Sequence, residues 1–242
     1  MARLTSILFD VDDTLFSTTE FAARARRNAV RAMVAAGLDL PEDLVLRELQ
    51  EVIFEFSSNY GHHFDRLLQR LKPHGLDGTN PAIVVAAGIV AYHNTKYEQL
   101  APFDDVVPLL EALRDAGVQT GVITHGWTAK QAEKLVRLGL TEHFDPRAIF
   151  ISDQVGISKP NPKLYAHVLR ELGRQPQEVA YVGDNPSHDI APPQSLGMVA
   201  IWAKRSAKHR CEPGLVPDHT VDDFTELAEL LRTRFEIPIR ST

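Results

Sequence analysis

Residues 7–15 read ILFDVDDTL, a short apolar run that ends in a cluster of aspartates. A continuous apolar run such as Ile7-Leu8-Phe9 is typical of a strand that is covered on both faces of a parallel sheet. Residues two apart on a strand face the same way, so Asp10 and Asp12 project together at its carboxyl end, where open α/β sheets bind ligands. Adjacent carboxylates repel each other unless a cation or a shared proton relieves them. The stretch therefore favours a functional site; the alternative is a solvated turn in which Asp13 caps a helix.

Four later apolar runs, separated by helix-like stretches, extend the predicted sheet. The predicted strands are 118–124, 148–151, 179–182 and 199–202, and the predicted helices are 106–116, 129–138, 162–172 and 186–196. Strand, helix and strand at this spacing indicate repeated βαβ units. We expect an α/β fold with a doubly wound, parallel-sheet, Rossmann-like core.

The stretch between the first two strands differs from the rest of the chain. Its apolar residues recur at spacings of three and four, as on helix faces, and prolines and glycines punctuate it. We predict an inserted all-helical cap domain at residues 17–100, and a core domain formed by residues 1–16 and 101–242.

Composition excludes several classes of protein. The 242 residues carry 26 Lys and Arg against 32 Asp and Glu, a net charge of −6, and Cys211 is the single cysteine. One cysteine excludes an internal disulfide framework and a cysteine-based zinc cage. A net acidic chain is atypical of a nucleic-acid binder. No apolar run approaches the roughly 20 residues of a membrane span, and no signal-peptide pattern is visible, so we expect a cytoplasmic protein with no nucleic-acid polymer and no membrane as partner.

Three further motifs follow predicted strands. Thr124-His125-Gly126 offers a hydroxyl and backbone N–H groups, which can hold phosphate oxygens. Lys159 precedes a helix opened by proline and could neutralise a cluster of acids. Asp184, with Asp189 one helical turn later, adds carboxylates at another strand end. Several carboxylates converging with water form a hard oxygen site that suits Mg²⁺.

The order of these motifs, DxDxT, Thr, Lys-Pro and GDxxxxD, resembles the four-motif pattern of the haloacid dehalogenase superfamily. The likeness covers nearly the whole chain. The helical insertion is similar to the C1 cap of subfamily I. The middle of the chain is similar to phosphatases of this group, including nucleotidases and sugar-phosphate phosphatases, and segments of the cap resemble an archaeal Mg²⁺-dependent phosphatase.

The resemblance implies a role for each matching residue. Asp10 would be the nucleophile that becomes an aspartyl phosphate, and Asp12 the general acid and base. Metal ligands would be Asp10, Asp12 through its carbonyl, and Asp184, with Asp189 orienting ligands or waters. The groups that hold the phosphoryl oxygens would be Thr124, Lys159 and the N–H groups near His125 and Gly126.

Two departures from the family pattern stand out. The second motif reads Thr-His-Gly, where Thr-Asn-Gly is commoner. After Asp189 the chain reads Ile-Ala-Pro-Pro, so residues 192 and 193 lack N–H donors, which either opens a helix harmlessly or shifts the loop around Asp189.

The resulting hypothesis is a Mg²⁺-dependent phosphatase acting on a small phosphorylated metabolite. True dehalogenases of the family lack a carboxylate at the position of Asp12, which favours phosphoryl chemistry. A sugar phosphomutase with the same catalytic residues, and a non-catalytic binding protein on this fold, remain alternatives. Candidate leaving-group contacts in the cap are Asn59, His63 and Lys96, and the resemblance makes a homodimer plausible.

Overall fold

The chain forms two compact units. The computed structural model describes residues 3–57, 60–71, 76 and 78–239. One unit consists of Met1–Thr18 and Ala101–Thr242, and the other of Thr19–Leu100.

The first unit contains a six-stranded sheet in which all neighbouring strands are parallel. The strands are β1 (Ser6–Phe9), β2 (Gln119–Thr124), β3 (Ile149–Ile151), β4 (Val179–Gly183), β5 (Val199–Ala203) and β6 (His219–Val221). Their order across the sheet is β3-β2-β1-β4-β5-β6. Five strands coincide with the apolar runs, and the parallel α/β core is confirmed. The sequence did not predict β6, which has three residues of which only Val221 is buried.

The second unit consists of helices packed around an apolar core. They are α1 (Thr18–Ala35), α2 (Glu42–Phe56), α3 (His63–Leu71) and α4 (Pro81–Glu98). Buried residues of this core include Met33, Leu49, Leu67 and Val84. The described residues of this unit thus form helices and no strand, as the sequence predicts.

Six α-helices accompany the sheet within the part of the chain that the structure describes. They are α5 (Val106–Asp115), α6 (Thr128–Arg137), α7 (Ser152–Val155), α8 (Pro162–Leu172), α9 (Ala191–Ser195) and α10 (Phe224–Arg234). The predicted helix at 186–196 is wrong in detail, because a π-helical turn at Pro186–Ile190 precedes the short α9. Within the described ranges, no helix is both long and apolar enough to cross a bilayer.

Strand register brings three motifs to one edge of the sheet. Phe9 at the end of β1 lies opposite Val122 of β2 and Val182 of β4. The residues that follow these positions therefore leave the sheet at the same level. This edge is the carboxyl end, where ligands bind in open α/β folds.

Candidate active site

Lys159 lies at the centre of a buried polar cluster. Its Nζ is 2.6 Å from Oδ1 of Asp10 and 2.8 Å from Oδ1 of Asp189. It also donates to the hydroxyl of Tyr181 at 2.6 Å, and that hydroxyl donates to the carbonyl of Ile123 at 2.7 Å. All three donor positions of the ammonium are therefore used, and the cation is held in one place.

A third carboxylate completes this cluster. Asp10, Asp184 and Asp189 are buried, and one oxygen of each lies within 4.8 Å of the others. When ionised, these three negative groups face one ammonium, so two negative charges stay uncompensated in a dry environment. Carboxylate oxygens are the ligands that Mg²⁺ prefers, and a divalent cation would restore neutrality. The residues present therefore fit a hard divalent cation.

The pKa values of these groups reflect the excess of negative charge in the cluster. Burial raises the pKa of Asp184 to about 8, and the carboxylates of Asp10 and Asp189 add to the rise. Burial also raises the pKa of Asp10, although the Lys159 ammonium opposes that effect. Burial alone would lower the pKa of Lys159, but Asp10 and Asp189 outweigh it and raise that pKa, so Lys159 stays charged. The cluster thus holds three carboxylates against the one ammonium of Lys159, which pairs with two of them.

The π-helical turn sets the position of Asp189. Its backbone N–H donates to the carbonyl of Asn185 at 2.7 Å, and its Oδ2 accepts from the N–H of Asn185 at 3.0 Å. Both contacts tie Asp189 to the residue that follows Asp184. The carboxylate therefore points back into the cluster.

The two prolines after this turn do not disrupt the loop. Pro192 and Pro193 are buried in the first turn of α9, where helix N–H groups lack intrahelical partners in any case. In an uninterrupted helix, an N–H at position 192 would meet the carbonyl of His188. The hydroxyl of Tyr165 donates to that carbonyl instead, at 2.6 Å. The departure from the family sequence is thus compensated by a buried tyrosine.

Gly183, at the end of β4, permits the close approach of Asp189. A Cβ atom at position 183 would lie 2.5 Å from both Cβ and Cγ of Asp189. Such a separation is far inside van der Waals contact. A glycine is therefore required here because a side chain would clash with the Asp189 carboxylate. Backbone conformation is not the reason, since the φ of Gly183 lies outside the left-handed region.

We expect Gly183→Ala to lower kcat/KM for phosphate esters by about 100-fold, because displacing a site group by about 1 Å has effects of this size. The measurement is steady-state phosphate release. Gly61→Ala is the matched control, because a methyl group there meets open space. Equal activity of Gly183→Ala and the wild type would contradict this account of Asp189.

The second motif forms a hydrogen-bonded network of its own. The buried hydroxyl of Thr124 donates to Oε1 of Gln131 at 3.1 Å. Nδ1 of His125 lies 2.7 Å from Oγ of Ser158, and the N–H of Gly126 donates to Oγ of Ser152 at 3.1 Å. His125 thereby connects this loop to the residue before Lys159.

Asp12 is directed towards a different cation from the one that holds Asp10. Nζ of Lys134, on α6, is 2.7 Å from its Oδ1 and 2.5 Å from its Oδ2. Nε2 of Gln131 donates to Oδ2 at 3.2 Å. The two aspartates of the first motif therefore have separate hydrogen-bond partners.

The cap candidates belong to the helical unit. His63 begins α3, and its Nε2 is 2.8 Å from the carbonyl of Ser57. Lys96 lies in the last turn of α4. Asn59 lies outside the described residues. Their proposed contacts with a leaving group remain predictions.

Sequence reasoning missed three residues of this site: Gln131, Lys134 and Tyr181. A signal existed for each. Gln131 and Lys134 are three apart on the helix that follows the second motif, so they share a face. Tyr181 interrupts an apolar strand, and a buried tyrosine hydroxyl usually finds a hydrogen-bond partner.

Comparisons with known proteins find relatives over nearly the whole chain. The family model of haloacid dehalogenase-like hydrolases matches residues 4–197. A protein of Methanopyrus kandleri named glyceraldehyde 3-phosphate phosphatase is 44% identical over 233 residues, which cover 94% of this chain and 97% of that protein. A protein of the same name from Methanocaldococcus jannaschii is 36% identical, covering 93% of this chain and 96% of that protein.

Solved structures share the fold. The crystal structure of a HAD phosphatase from Thermococcus onnurineus superposes with a TM-score of 0.60 at 23% sequence identity, covering 94% of this chain and 98% of that one.

Proposed function

Since the chain belongs to the haloacid dehalogenase-like hydrolases, and is a phosphatase of that family, we propose that it hydrolyses a small phosphomonoester through an aspartyl phosphate on Asp10. The observation that carries the proposal is the buried contact of Lys159 with Asp10, beside the carboxylates of Asp184 and Asp189. A carboxylate, a fixed ammonium and a candidate cation site stand together where phosphoryl oxygens could be bound.

In the proposed first step, an oxygen of Asp10 attacks phosphorus and the bond from phosphorus to the ester oxygen breaks. In the acid form of Asp12 that begins the cycle, one oxygen carries a proton and gives up its contact with Lys134, which keeps its contact with the other oxygen. That proton passes to the leaving oxygen, so an alcohol departs. In the second step, water attacks the same phosphorus, the bond to Asp10 breaks, and Asp12 takes the proton of the water. Inorganic phosphate leaves, and both aspartates return to their starting states.

The remaining residues offset charge. Lys159 would face the phosphoryl oxygens, together with the Thr124 hydroxyl and the N–H groups at His125 and Gly126. The Thr124 hydroxyl and the Gly126 N–H donate to Gln131 and Ser152 in this structure, so bound phosphoryl oxygens would take the place of those two acceptors. Asp10, Asp184 and Asp189, with the Asp12 carbonyl, would hold Mg²⁺, and that cation supplies charge neutralisation at the phosphoryl group when it is bound. Phosphoryl transfer depends mainly on such positioning and neutralisation.

The substrate proposal comes from the relatives. Proteins 44% and 36% identical over nearly the whole chain are named glyceraldehyde 3-phosphate phosphatases. We propose glyceraldehyde 3-phosphate, or another small sugar phosphate, as the substrate. The same names favour hydrolysis over the phosphomutase and non-catalytic alternatives.

The test is phosphate release from a panel of phosphomonoesters that includes glyceraldehyde 3-phosphate. We expect release with Mg²⁺ and its loss in the presence of a chelator, restored when Mg²⁺ is added in excess. Three-carbon esters should have the highest kcat/KM of the panel. Undiminished release under chelation would contradict the metal proposal, and no release from any ester would contradict the phosphatase proposal.

A further inference from the structure

The carboxylate of Asp12 accepts hydrogen bonds from two residues of one helix. Lys134 contacts both of its oxygens, at 2.7 and 2.5 Å, and Nε2 of Gln131 donates to Oδ2 at 3.2 Å. The two donors are three residues apart on α6, so they lie on the same helix face. A carboxylate that accepts from two separate nitrogens has little freedom to rotate.

Gln131 is itself fixed by the second motif. It is buried, its Oε1 accepts from the Thr124 hydroxyl at 3.1 Å, and its Nε2 also donates to the carbonyl of His125 at 2.7 Å. A Cβ atom at position 126 would lie 2.8 Å from this Nε2, so only a glycine leaves room for the amide. These contacts with the second motif fix the orientation of Gln131 independently of its contact with Asp12.

Stability is a poor explanation for the Lys134 contact. The side chains of Lys134 and Asp12 are 23% and 32% exposed. Ion pairs that solvent reaches contribute little to folding. The pair is better explained by the position it imposes on Asp12.

We propose that Gln131 and Lys134 are positioning residues that hold the Asp12 carboxyl group where it exchanges a proton with the leaving oxygen. This inference rests on the proposed phosphatase chemistry, in which Asp12 is the general acid. Neither residue is required to touch the substrate. Their effect would be on the geometry of one proton transfer, whose rate depends strongly on hydrogen-bond distance.

The proposal predicts a dependence on the leaving group. An alkoxide leaving from a sugar phosphate is strongly basic and needs a proton as it departs. The p-nitrophenolate ion is weakly basic and departs without one. Because kcat/KM reports the steps up to the departure of the leaving group, the ratio of this constant for the two esters isolates the contribution of Asp12.

The test compares Lys134→Met with Lys130→Met, Lys134→Arg and Gln131→Glu, using glyceraldehyde 3-phosphate and p-nitrophenyl phosphate. Lys130 is the matched control, since it lies one turn earlier on α6 with its Nζ 4.4 Å from the centre of the Trp127 ring. We expect Lys134→Met to lower kcat/KM for the sugar phosphate by about 10- to 100-fold, within the usual range for general acid catalysis, and to spare p-nitrophenyl phosphate.

The other variants sharpen the result. Lys130→Met should leave the ratio of the two constants unchanged. Lys134→Arg should lower the kcat/KM for the sugar phosphate less than Lys134→Met does, because it keeps a cation at this position. Gln131→Glu keeps the acceptor for Thr124 but loses the donor to Asp12, so it should shift the ratio in the same direction as Lys134→Met. An equal fall with both esters, or no change with either, would overturn the proposal.

Crystal structures of Lys134→Met and Lys130→Met separate this inference from the proposed function. We expect the Asp12 carboxylate to leave its position in the first variant only, while Asp10 and Lys159 stay in place in both. An unmoved Asp12 would overturn the inference. A wild type that hydrolyses neither ester would contradict the proposed function, and the two structures would still decide whether Lys134 holds Asp12.

Discussion

The Asp10→Asn variant is expected to release phosphate at least about 10³ times more slowly than the wild type, since removing a nucleophile costs several orders of magnitude in rate. The amide nitrogen cannot form the acyl phosphate, and the remaining amide oxygen is a much weaker nucleophile than a carboxylate. The exchange is nearly isosteric, so the fold should persist. The measurement is phosphate release with Mg²⁺ present.

A second readout identifies the step that is lost. Rapid quenching during turnover, followed by peptide mass spectrometry, should find a phosphoryl adduct on the peptide that contains Asp10 in the wild type and none in the variant. Asp39→Asn is the matched control, because Asp39 is an exposed acid in the helical unit. Turnover by Asp10→Asn at the wild-type rate would contradict the assignment of Asp10 as the nucleophile.

The convergence of four charged residues could be predicted from the sequence. Asp10 and Asp184 directly follow apolar runs, and parallel strands place their carboxyl ends at one edge. Lys159 and Asp189 come from the loop and turn that return to the same edge. This level of prediction needs only strand direction and approximate strand ends, which apolar patterning supplies.

Contacts that depend on helix rotation could not be predicted in this way. The orientation of Gln131 and Lys134 towards Asp12 is set by how α6 packs on the sheet, and the spacing of residues does not determine that packing. The same holds for the compensation between Tyr165 and the prolines at 192 and 193, which joins two distant segments through one hydrogen bond. β6 could not be predicted either, because the strand has three residues and the first two are polar, so it lacks an apolar run.

Lys159→Met is expected to cost both stability and activity. The Lys159 side chain is 2% exposed and is the cation between Asp10 and Asp189, whose side chains are 9% and 2% exposed. Breaking a buried ion pair by removing one partner typically costs about 3–5 kcal/mol, because the charge that remains is not compensated. Two carboxylates lose their partner here, so we expect a loss of at least about that size in the free energy of unfolding.

Urea unfolding in the presence of a chelator measures this loss. Lys163→Met is the matched control: it makes the same substitution four residues later, at an exposed position on α8. The deficit of Lys159→Met should grow as the pH rises through neutrality, because burial raises the pKa of Asp10 to about 7 even beside the ammonium, and loss of the ammonium raises that pKa further. Added Mg²⁺ should recover part of the stability for the same electrostatic reason, but phosphate release should stay low, since a bound cation does not replace an ammonium directed at the phosphoryl oxygens. A Lys159→Met protein as stable as Lys163→Met without metal, at a pH above the raised pKa values of Asp10 and Asp184, would contradict the charge balance from which the cation site is argued.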